Sequence, residues 1–236
     1  MTKIIALLTG RGGSSFKDKN IIKLFNKPIL AYPCEEARKV SLIDDYYVSS
    51  DDRKIINTAS KYGFKSILRP KKLSKPNSLH HDVLLHALKD LKNKNIFPDL
   101  LVVLLANAPI VESKWISDCI KLLFKNKATA VVPVVQDNDK HPLRAKKTKN
   151  KFLLPFIDTK KKISSNRQSL EKSFFLCHNF WVIKTNEILK NNGYKPWSFM
   201  GRKVLPYVVK ESHDIHQKID INICKNIISQ KNKGKT

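Results

Sequence analysis

Short runs of apolar residues alternate with amphipathic segments along most of the chain. Residues 4–8 and 100–105 are continuous apolar runs, which is typical of strands buried on both faces. Further strands are predicted at residues 46–49, 66–68, 128–135, 180–183 and 203–209. Helices are predicted at about 28–40, after a cap at Asp51, at 78–91, at 112–124 and at 223–230. This alternation indicates a parallel, doubly wound α/β sheet with helices on both faces.

Two prolines refine these boundaries. Pro28 suits the first turn of the helix that it begins. Pro133 predicts that the strand at 128–135 ends or bends there, because proline cannot donate a ladder hydrogen bond.

The periodicity fades from about residue 136. The segment that follows is polar and rich in lysine, with a short apolar patch at residues 152–156. We predict an arm over about 136–178 that pairs with a second subunit. The rest of residues 1–236 is predicted to form a single domain, in agreement with the chain length.

The chain carries 45 Lys and Arg against 20 Asp and Glu, a formal net charge of +25. Such a charge can indicate nucleic-acid binding, or a lysine-rich surface that attracts an anionic nucleotide. The lysines are spread along the chain and are not interleaved with aromatic residues, and this pattern argues against nucleic acid as a partner.

Cellular location is indicated by the cysteines and by the absence of long apolar runs. The four cysteines are scattered without a CxxC pair, which is typical of reduced thiols in the cytoplasm. No run approaches the roughly 18 apolar residues of a membrane span. A glycine-rich turn follows the first apolar run at once, so this run is predicted to be a strand and not a signal peptide.

That turn, Thr9-Gly10-Arg11-Gly12-Gly13-Ser14-Ser15, is the strongest chemical signal in the sequence. Ligands of open α/β sheets bind outside the carboxyl ends of the strands, and glycines let backbone N–H groups approach phosphates. Arg11 and Lys19 supply the positive charge that a triphosphate needs. The turn is neither a Walker A motif nor GxGxxG, and a tight strand-to-helix loop remains the alternative.

Several short motifs extend this signal. They are RGGS at 11–14, KN at 19–20, KPILAY at 27–32, YVSSDD at 47–52, YGF at 62–64, LRPKKLS at 68–74, HAL at 86–88, HP at 141–142 and RQ at 167–168. In this order they resemble the acylneuraminate cytidylyltransferases. The resemblance implies a three-layer, Rossmann-like nucleotidyltransferase fold. It also implies transfer of CMP from CTP to a sialic-type (nonulosonic) acid, with release of pyrophosphate.

The resemblance also assigns residues to the nucleotide. It places Arg11 and Lys19 on the phosphates, where they are candidate catalytic residues together with Asp220. The candidate nucleotide-binding residues are Leu8, Gly10, Arg11, Gly12, Gly13, Ser14, Lys19, Asn20, Arg69, Ser78 and His80. His80 stands where the family usually has Ser. A simple ion pair with a carboxylate is the alternative for Arg69.

A metal site is implied near the C-terminus. Ile219-Asp220-Ile221-Asn222 resembles the family's "DID" signature, so Asp220 and Asn222 are the candidate ligands of Mg²⁺ or Mn²⁺. Asn222 carries no charge, and Asp214 could compensate. The alternative for Asp220 is a helix N-cap.

The acceptor-side candidates are Asn107, Arg144, Arg167, Gln168 and Asn179, because an acidic acceptor needs cationic or amide partners. Leu105 replaces a family Gln, which leaves open an octulosonate or phosphonate acceptor. A non-catalytic, nucleotide-binding relative is the further alternative. The resemblance implies a homodimer in which the arm completes the neighbour's acceptor site.

Overall fold

Strands and helices alternate in the computed structural model, which describes residues 2–13, 16–160 and 162–233. Ser14, one of the predicted nucleotide contacts, lies outside these residues. The strands are β1 Ile4–Thr9, β2 Lys23–Leu24, β3 Lys27–Pro28, β4 Asp45–Ser50, β5 Lys65–Leu68, β6 Leu100–Leu105, β7 Ala130–Gln136, β8 Lys146–Lys149, β9 Phe152–Pro155, β10 Phe174–Leu176, β11 Phe180–Lys184 and β12 Val204–Val208. The helices are α1 Ala31–Arg38, α2 Arg53–Ser60, α3 His80–Asn93, α4 Ser113–Lys125, α5 Thr185–Lys190 and α6 Lys218–Lys233.

The main sheet runs in the order β10, β7, β11, β6, β1, β4, β5, and β12 pairs with β7. The strands β6, β1, β4 and β5 are parallel, whereas β11 is antiparallel to its neighbours β6 and β7. Thr9 at the end of β1 lies in register with Ser49 and Leu105. The carboxyl ends of the three central strands therefore meet at one edge.

Two apolar layers cover the sheet. Ala6 and Leu8 of β1 pack with helices α1, α2 and α4, whereas Ile5 and Leu7 pack on the opposite face with α3 and α5. All four side chains are fully buried, which explains why the run is continuously apolar and does not alternate. The predicted three-layer α/β fold with a mainly parallel sheet is confirmed.

The arm contains a two-stranded hairpin of β8 and β9 that stands apart from the main sheet. The chain returns to that sheet at β10, which pairs antiparallel with β7. The predicted arm boundary at 178 therefore includes one strand of the main sheet. Apolar side chains of the hairpin are largely exposed, among them Phe152 and Leu153, each 72% exposed.

Two local predictions were wrong in detail, and a third was wrong in so far as it let the strand end at Pro133. Pro28 lies in β3, and helix α1 begins only at Ala31. The cap of α2 is Asp52, whose carboxylate accepts a hydrogen bond from the Lys54 N–H. Strand β7 continues through Pro133, because this is where its neighbour changes from β11 to β10 and a missing N–H is tolerated.

Among the described residues, no helix combines the length and apolar character required to cross a membrane.

Candidate active site

A cavity of about 280 Å³ opens at the carboxyl ends of β1 and β6. Of the predicted site residues, it is lined by Gly10, Arg11, Lys19, Asn20, Arg69, Ser78, His80 and Asn107. Five further polar residues line it, Thr9, Lys75, His178, Asp214 and His216, and of these only Asp214 had been considered, as a residue that could compensate at the metal site. The glycine turn, the loop before α3 and the segment before α6 thus meet at one place.

The glycine turn is held by a buried clamp between Arg69 and Asp51. The Arg69 Nη2 donates to the Gly10 carbonyl at 2.6 Å and lies 3.8 Å from Asp51 Oδ1. The same carboxylate oxygen accepts from the Gly12 N–H at 3.0 Å. Burial lowers the pKa of Arg69, and Asp51 opposes that shift. Arg69 therefore fixes the shape of the turn as well as contributing charge to the cavity.

Close packing explains the glycine at position 10. A Cβ on Gly10 would lie 2.9 Å from the Ala106 Cβ, closer than two carbon atoms can approach without displacement. The Asn20 side-chain amide donates to the Arg11 carbonyl at 3.1 Å and closes the turn from the other side. The backbone of the turn is therefore fixed on both sides.

Lys19 is the most deeply buried amine of the site, at 8% exposure. No carboxylate of the described residues lies within ion-pair distance of it. Burial lowers its pKa, Asp214 and Asp220 act to raise it, and Arg11 acts to lower it. A buried cation without a close partner at a cavity wall is suited to bind an anion.

His80 lies on a wall of aromatic rings. Its Nε2 lies 3.4 Å from the Thr9 Oγ1, and its ring centroid is 5.1 Å from that of Trp181 and 6.4 Å from that of Phe199. Burial lowers its pKa to about 4, with further lowering by Arg69 and His178. The imidazole is therefore neutral at neutral pH and can both donate and accept hydrogen bonds.

The side chains of two residues near His80 in the sequence form hydrogen bonds with the protein's own backbone. The His81 Nε2 lies 2.8 Å from the Ile188 carbonyl, so the two adjacent histidines do not face one site. The Ser78 hydroxyl accepts from the Lys75 N–H and donates to the Lys72 carbonyl. Ser78 therefore lines the cavity while shaping its own loop.

Residues 214–216 form a short clip on the cavity wall. Ile215 is buried, its N–H donates to the Asn107 carbonyl at 2.9 Å, and its carbonyl accepts from the Asn107 Nδ2 at 3.1 Å. Asp214 and His216, on either side of Ile215, both line the cavity. The His216 Nε2 lies 2.6 Å from Asp214 Oδ2. The sequence signal of this clip is an apolar residue between two polar ones, Asp214-Ile215-His216.

Asp220 has the contacts of the helix cap that was the alternative to its prediction as a metal ligand. Its Oδ2 accepts from the backbone N–H groups of His216 and Gln217 at 2.7 Å each, and its Oδ1 lies 3.0 Å from the His213 Nε2. Burial acts to raise its pKa, but these hydrogen bonds outweigh burial and lower it to about 2. This is the geometry of a helix cap at the start of α6.

The structure does not bring the predicted metal pair together at the cavity. Asn222 is exposed, two residues beyond Asp220 on α6, and positions i and i+2 do not share a helix face. Neither residue lines the cavity. Among the described residues, no group of three or more His, Cys, Asp or Glu side chains is arranged to hold a metal ion by itself.

The acceptor-side predictions fall at three places. Asn107 lines the cavity, as described above. Asn179 is fully buried, and its side chain donates to the Ile110 carbonyl and accepts from the Phe180 N–H. Its side chain joins the segment between β6 and α4 to the start of β11 and does not line the cavity.

The remaining acceptor-side residues lie in the arm. Arg144 and Arg167 both pair with Asp139, and Gln168 is exposed. None of the three lines the cavity of the same chain.

Three predicted nucleotide contacts do not line this cavity. Leu8 is fully buried in the core. Gly12 and Gly13 line a small adjacent hollow together with Arg11 and Lys19.

Comparison with known proteins gives several relatives of modest identity. A bifunctional Helicobacter pylori protein, named pseudaminic acid cytidylyltransferase and a UDP-sugar hydrolase, is 30% identical over 65% of this chain and 30% of its own length. The pseudaminic acid cytidylyltransferase of Campylobacter jejuni is 27% identical over 73% of this chain and 74% of its own. An Escherichia coli N-acylneuraminate cytidylyltransferase is 27% identical over 99% of this chain and 54% of its own.

The fold is also similar to solved structures. The structure of a CMP:2-keto-3-deoxy-manno-octonic acid synthetase complexed with CTP matches with a TM-score of 0.69 at 13% identity. The match covers 98% of this chain and 100% of that one, and at this identity it supports the fold alone. The family model described as "Cytidylyltransferase" matches residues 5–173, and the chain therefore belongs to the cytidylyltransferase family.

Proposed function

We propose that the protein transfers CMP from CTP to a nonulosonic acid and releases pyrophosphate. The observation that carries this proposal is the meeting of Arg11, Lys19 and Arg69 with the glycine turn in one cavity. Three cations beside backbone N–H groups are suited to a triphosphate. Membership of the cytidylyltransferase family supports CTP as the nucleotide.

In the reaction, an acceptor hydroxyl oxygen attacks the α-phosphorus. A new O–P bond forms, the bond between the α-phosphorus and the bridging oxygen breaks, pyrophosphate leaves and the hydroxyl proton is released. Such a transfer depends on positioning and on neutralisation of phosphate charge more than on a strong base. Lys19 and Arg11 supply that charge, while Arg69 and Asp51 keep the turn in place.

Recognition of the base is assigned to His80. A neutral imidazole beside the Thr9 hydroxyl offers both a donor and an acceptor to a pyrimidine edge. The rings of Trp181 and Phe199 hold the imidazole in position.

A divalent cation, Mg²⁺ or Mn²⁺, belongs to this proposal, and Asp214 is the better placed ligand. A nucleotide-bound Mg²⁺ takes one or two protein carboxylates and completes its shell with phosphate oxygens and water. Asp214 lines the cavity and lies close enough to Lys19 to oppose the lowering of its pKa by burial. Asp220 uses its oxygens in the α6 cap. Asp214, with His216 beside it, would hold the ion, which when bound neutralises phosphate charge.

The acceptor class is inferred from the relatives, whose names include pseudaminic acid and N-acylneuraminate. Arg144, Arg167 and Gln168 lie on the arm away from the cavity of their own chain, so a role at the acceptor requires a second copy. The exposed side chains of Phe152 and Leu153 support such a homodimer. The four cysteines are all free and buried, which supports a cytoplasmic location.

A pyrophosphate-release assay tests the proposal. CTP, Mg²⁺ or Mn²⁺, and a panel of nonulosonic acids, an octulosonate and a phosphonate are supplied to the purified protein. We expect turnover with a nonulosonic acid. Turnover with only the octulosonate or the phosphonate would change the acceptor class, and CTP binding without turnover would indicate a non-catalytic member.

A pair of variants tests the metal ligand. Asp214→Asn should raise the divalent-ion concentration that gives half-maximal activity. Asp220→Asn should lower stability and leave that concentration unchanged. If instead Asp220→Asn raised that concentration and Asp214→Asn left it unchanged, Asp220 would be the metal ligand.

A further inference from the structure

The clip at residues 214–216 places an imidazole nitrogen beside the candidate metal carboxylate. The His216 Nε2 and the Asp214 Oδ2 lie 2.6 Å apart, and both side chains line the cavity. Two donor atoms at this separation can turn to the same ion. The chain therefore offers a mixed nitrogen and oxygen donor pair where a nucleotide's phosphates would lie.

The clip is held from two directions. Asn107 grips Ile215 through both backbone groups and donates to Asp214 Oδ2 at 3.3 Å. Asp220 accepts the His216 backbone N–H at 2.7 Å. The His216 side chain is 67% exposed, so the cavity side of the pair is open to solvent and to a bound nucleotide. The backbone is fixed while the two donor side chains face the cavity.

The donor set determines which metal the pair prefers. Mg²⁺ takes oxygen ligands and keeps much of its water shell. An imidazole nitrogen adds affinity for first-row transition metals and adds little for Mg²⁺. Because the described residues hold no group of three or more ligands, nucleotide phosphates and water would supply the rest of the shell.

We infer that Asp214 and His216 together bind a transition-metal divalent cation, such as Mn²⁺, in preference to Mg²⁺ when CTP is bound. The inference rests on the proposed function for the presence of CTP in the cavity. It goes beyond that function because it assigns His216 as a direct ligand and fixes the order of metal preference.

Electron paramagnetic resonance tests this without turnover. Mn²⁺ is added to the full chain with a non-hydrolysable α,β-methylene CTP analogue, and electron spin-echo modulation is recorded for ¹⁴N coupled to the metal. Mg²⁺ is then titrated to find the concentration that displaces half of the Mn²⁺. The variants are His216→Asp, which substitutes an oxygen donor, and His86→Gln, a control on α3 outside the cavity.

We expect ¹⁴N coupling in the wild type and in His86→Gln, and none in His216→Asp. In His216→Asp an oxygen donor replaces the nitrogen. The Mg²⁺ concentration that displaces half of the Mn²⁺ should therefore be lower than in the wild type by about 10-fold or more. Absence of ¹⁴N coupling in the wild type, failure to bind Mn²⁺, or an unchanged displacement in a folded His216→Asp would overturn the inference. If that variant does not fold, His216→Asn is measured in its place with the same expectations.

The result is separable from that of the proposed function. Turnover with Mg²⁺ and no ¹⁴N coupling would keep the cytidylyl transfer and reject His216 as a ligand. Mn²⁺ that shows ¹⁴N coupling in a protein that never releases pyrophosphate would keep His216 as a ligand and reject the cytidylyl transfer.

Discussion

Replacing Lys19 by Met separates the charge of this residue from its packing. Lys19 is 8% exposed and has no carboxylate of the described residues within ion-pair distance. Burial lowers its pKa below the ordinary 10.5, so the folded state holds the proton less tightly than the unfolded state does. Its charge therefore opposes folding at neutral pH, and this cost disappears as the pH rises through the folded pKa towards 10.5. Met retains a long apolar stem, so Lys19→Met should be at least as stable as the wild type at pH 7.

The same substitution should impair the reaction. A hydrogen bond to a charged group contributes about 1.5–3 kcal/mol, which corresponds to a loss of roughly 10- to 150-fold in kcat/KM. Pyrophosphate release measures kcat/KM, and urea unfolding at pH 7 measures stability. Lys17→Met is the matched control, because Lys17 is exposed two residues away and its loss should change neither quantity. Unchanged turnover in Lys19→Met would refute the role of the cation. A loss of more than about 1 kcal/mol in stability would refute the account of its burial.

Four further predictions concern stability and assembly. Asp220→Ala should lower the free energy of unfolding by about 1 kcal/mol through loss of the α6 cap, measured in urea. The difference should persist above pH 3.8 and vanish as the pH falls towards 2, because the folded pKa is depressed to about 2. Gly10→Ala should cost about 1–3 kcal/mol, because its methyl would overlap that of Ala106. The free energy of unfolding of the wild type should fall as the pH drops from 6.5 towards 4, because in this range His80 gains a proton only in the unfolded state. In His80→Phe this part of the pH dependence should be absent from unfolding curves measured across the same range. The proposed homodimer predicts a dimeric mass by light scattering for the wild type and a monomeric mass for Leu153→Asp, and an unchanged mass would exclude the hairpin as the interface.

The fold could be predicted from local pattern because the central strands of the main sheet are buried on both faces. Every side chain of β1 and the first five of β6 are buried, and both appear as continuous apolar runs. Helix α2 could be predicted in the same way, because the apolar residues of its sequence, Ile55, Ile56 and Ala59, are the ones that it buries. These features depend on a few neighbouring residues, which sequence reasoning can use.

Sheet order could not be read in the same way. The reversed direction of β11 depends on its pairing with β6, about eighty residues earlier. The tolerance of Pro133 depends on the change of neighbouring strand from β11 to β10. Both are long-range facts that no local window contains.

The candidate site shows the same limit at the scale of single residues. Asp214 and Asp220 lie six positions apart, and either could be a metal ligand when only residue type is considered. Both carboxylates have partners in the protein, since Asp214 Oδ2 contacts Asn107 and His216, but only Asp214 lines the cavity. Asp220 accepts two backbone N–H groups and contacts His213, whereas Asp214 is set on the cavity wall by the burial of Ile215. The start of α6 therefore engages the Asp220 carboxylate, which the sequence motif alone suggests is free to bind a metal. Under the proposed function, the choice between the two carboxylates therefore depends on where α6 begins, and we expect Asp220 to bind a cation only in a variant in which it no longer caps α6.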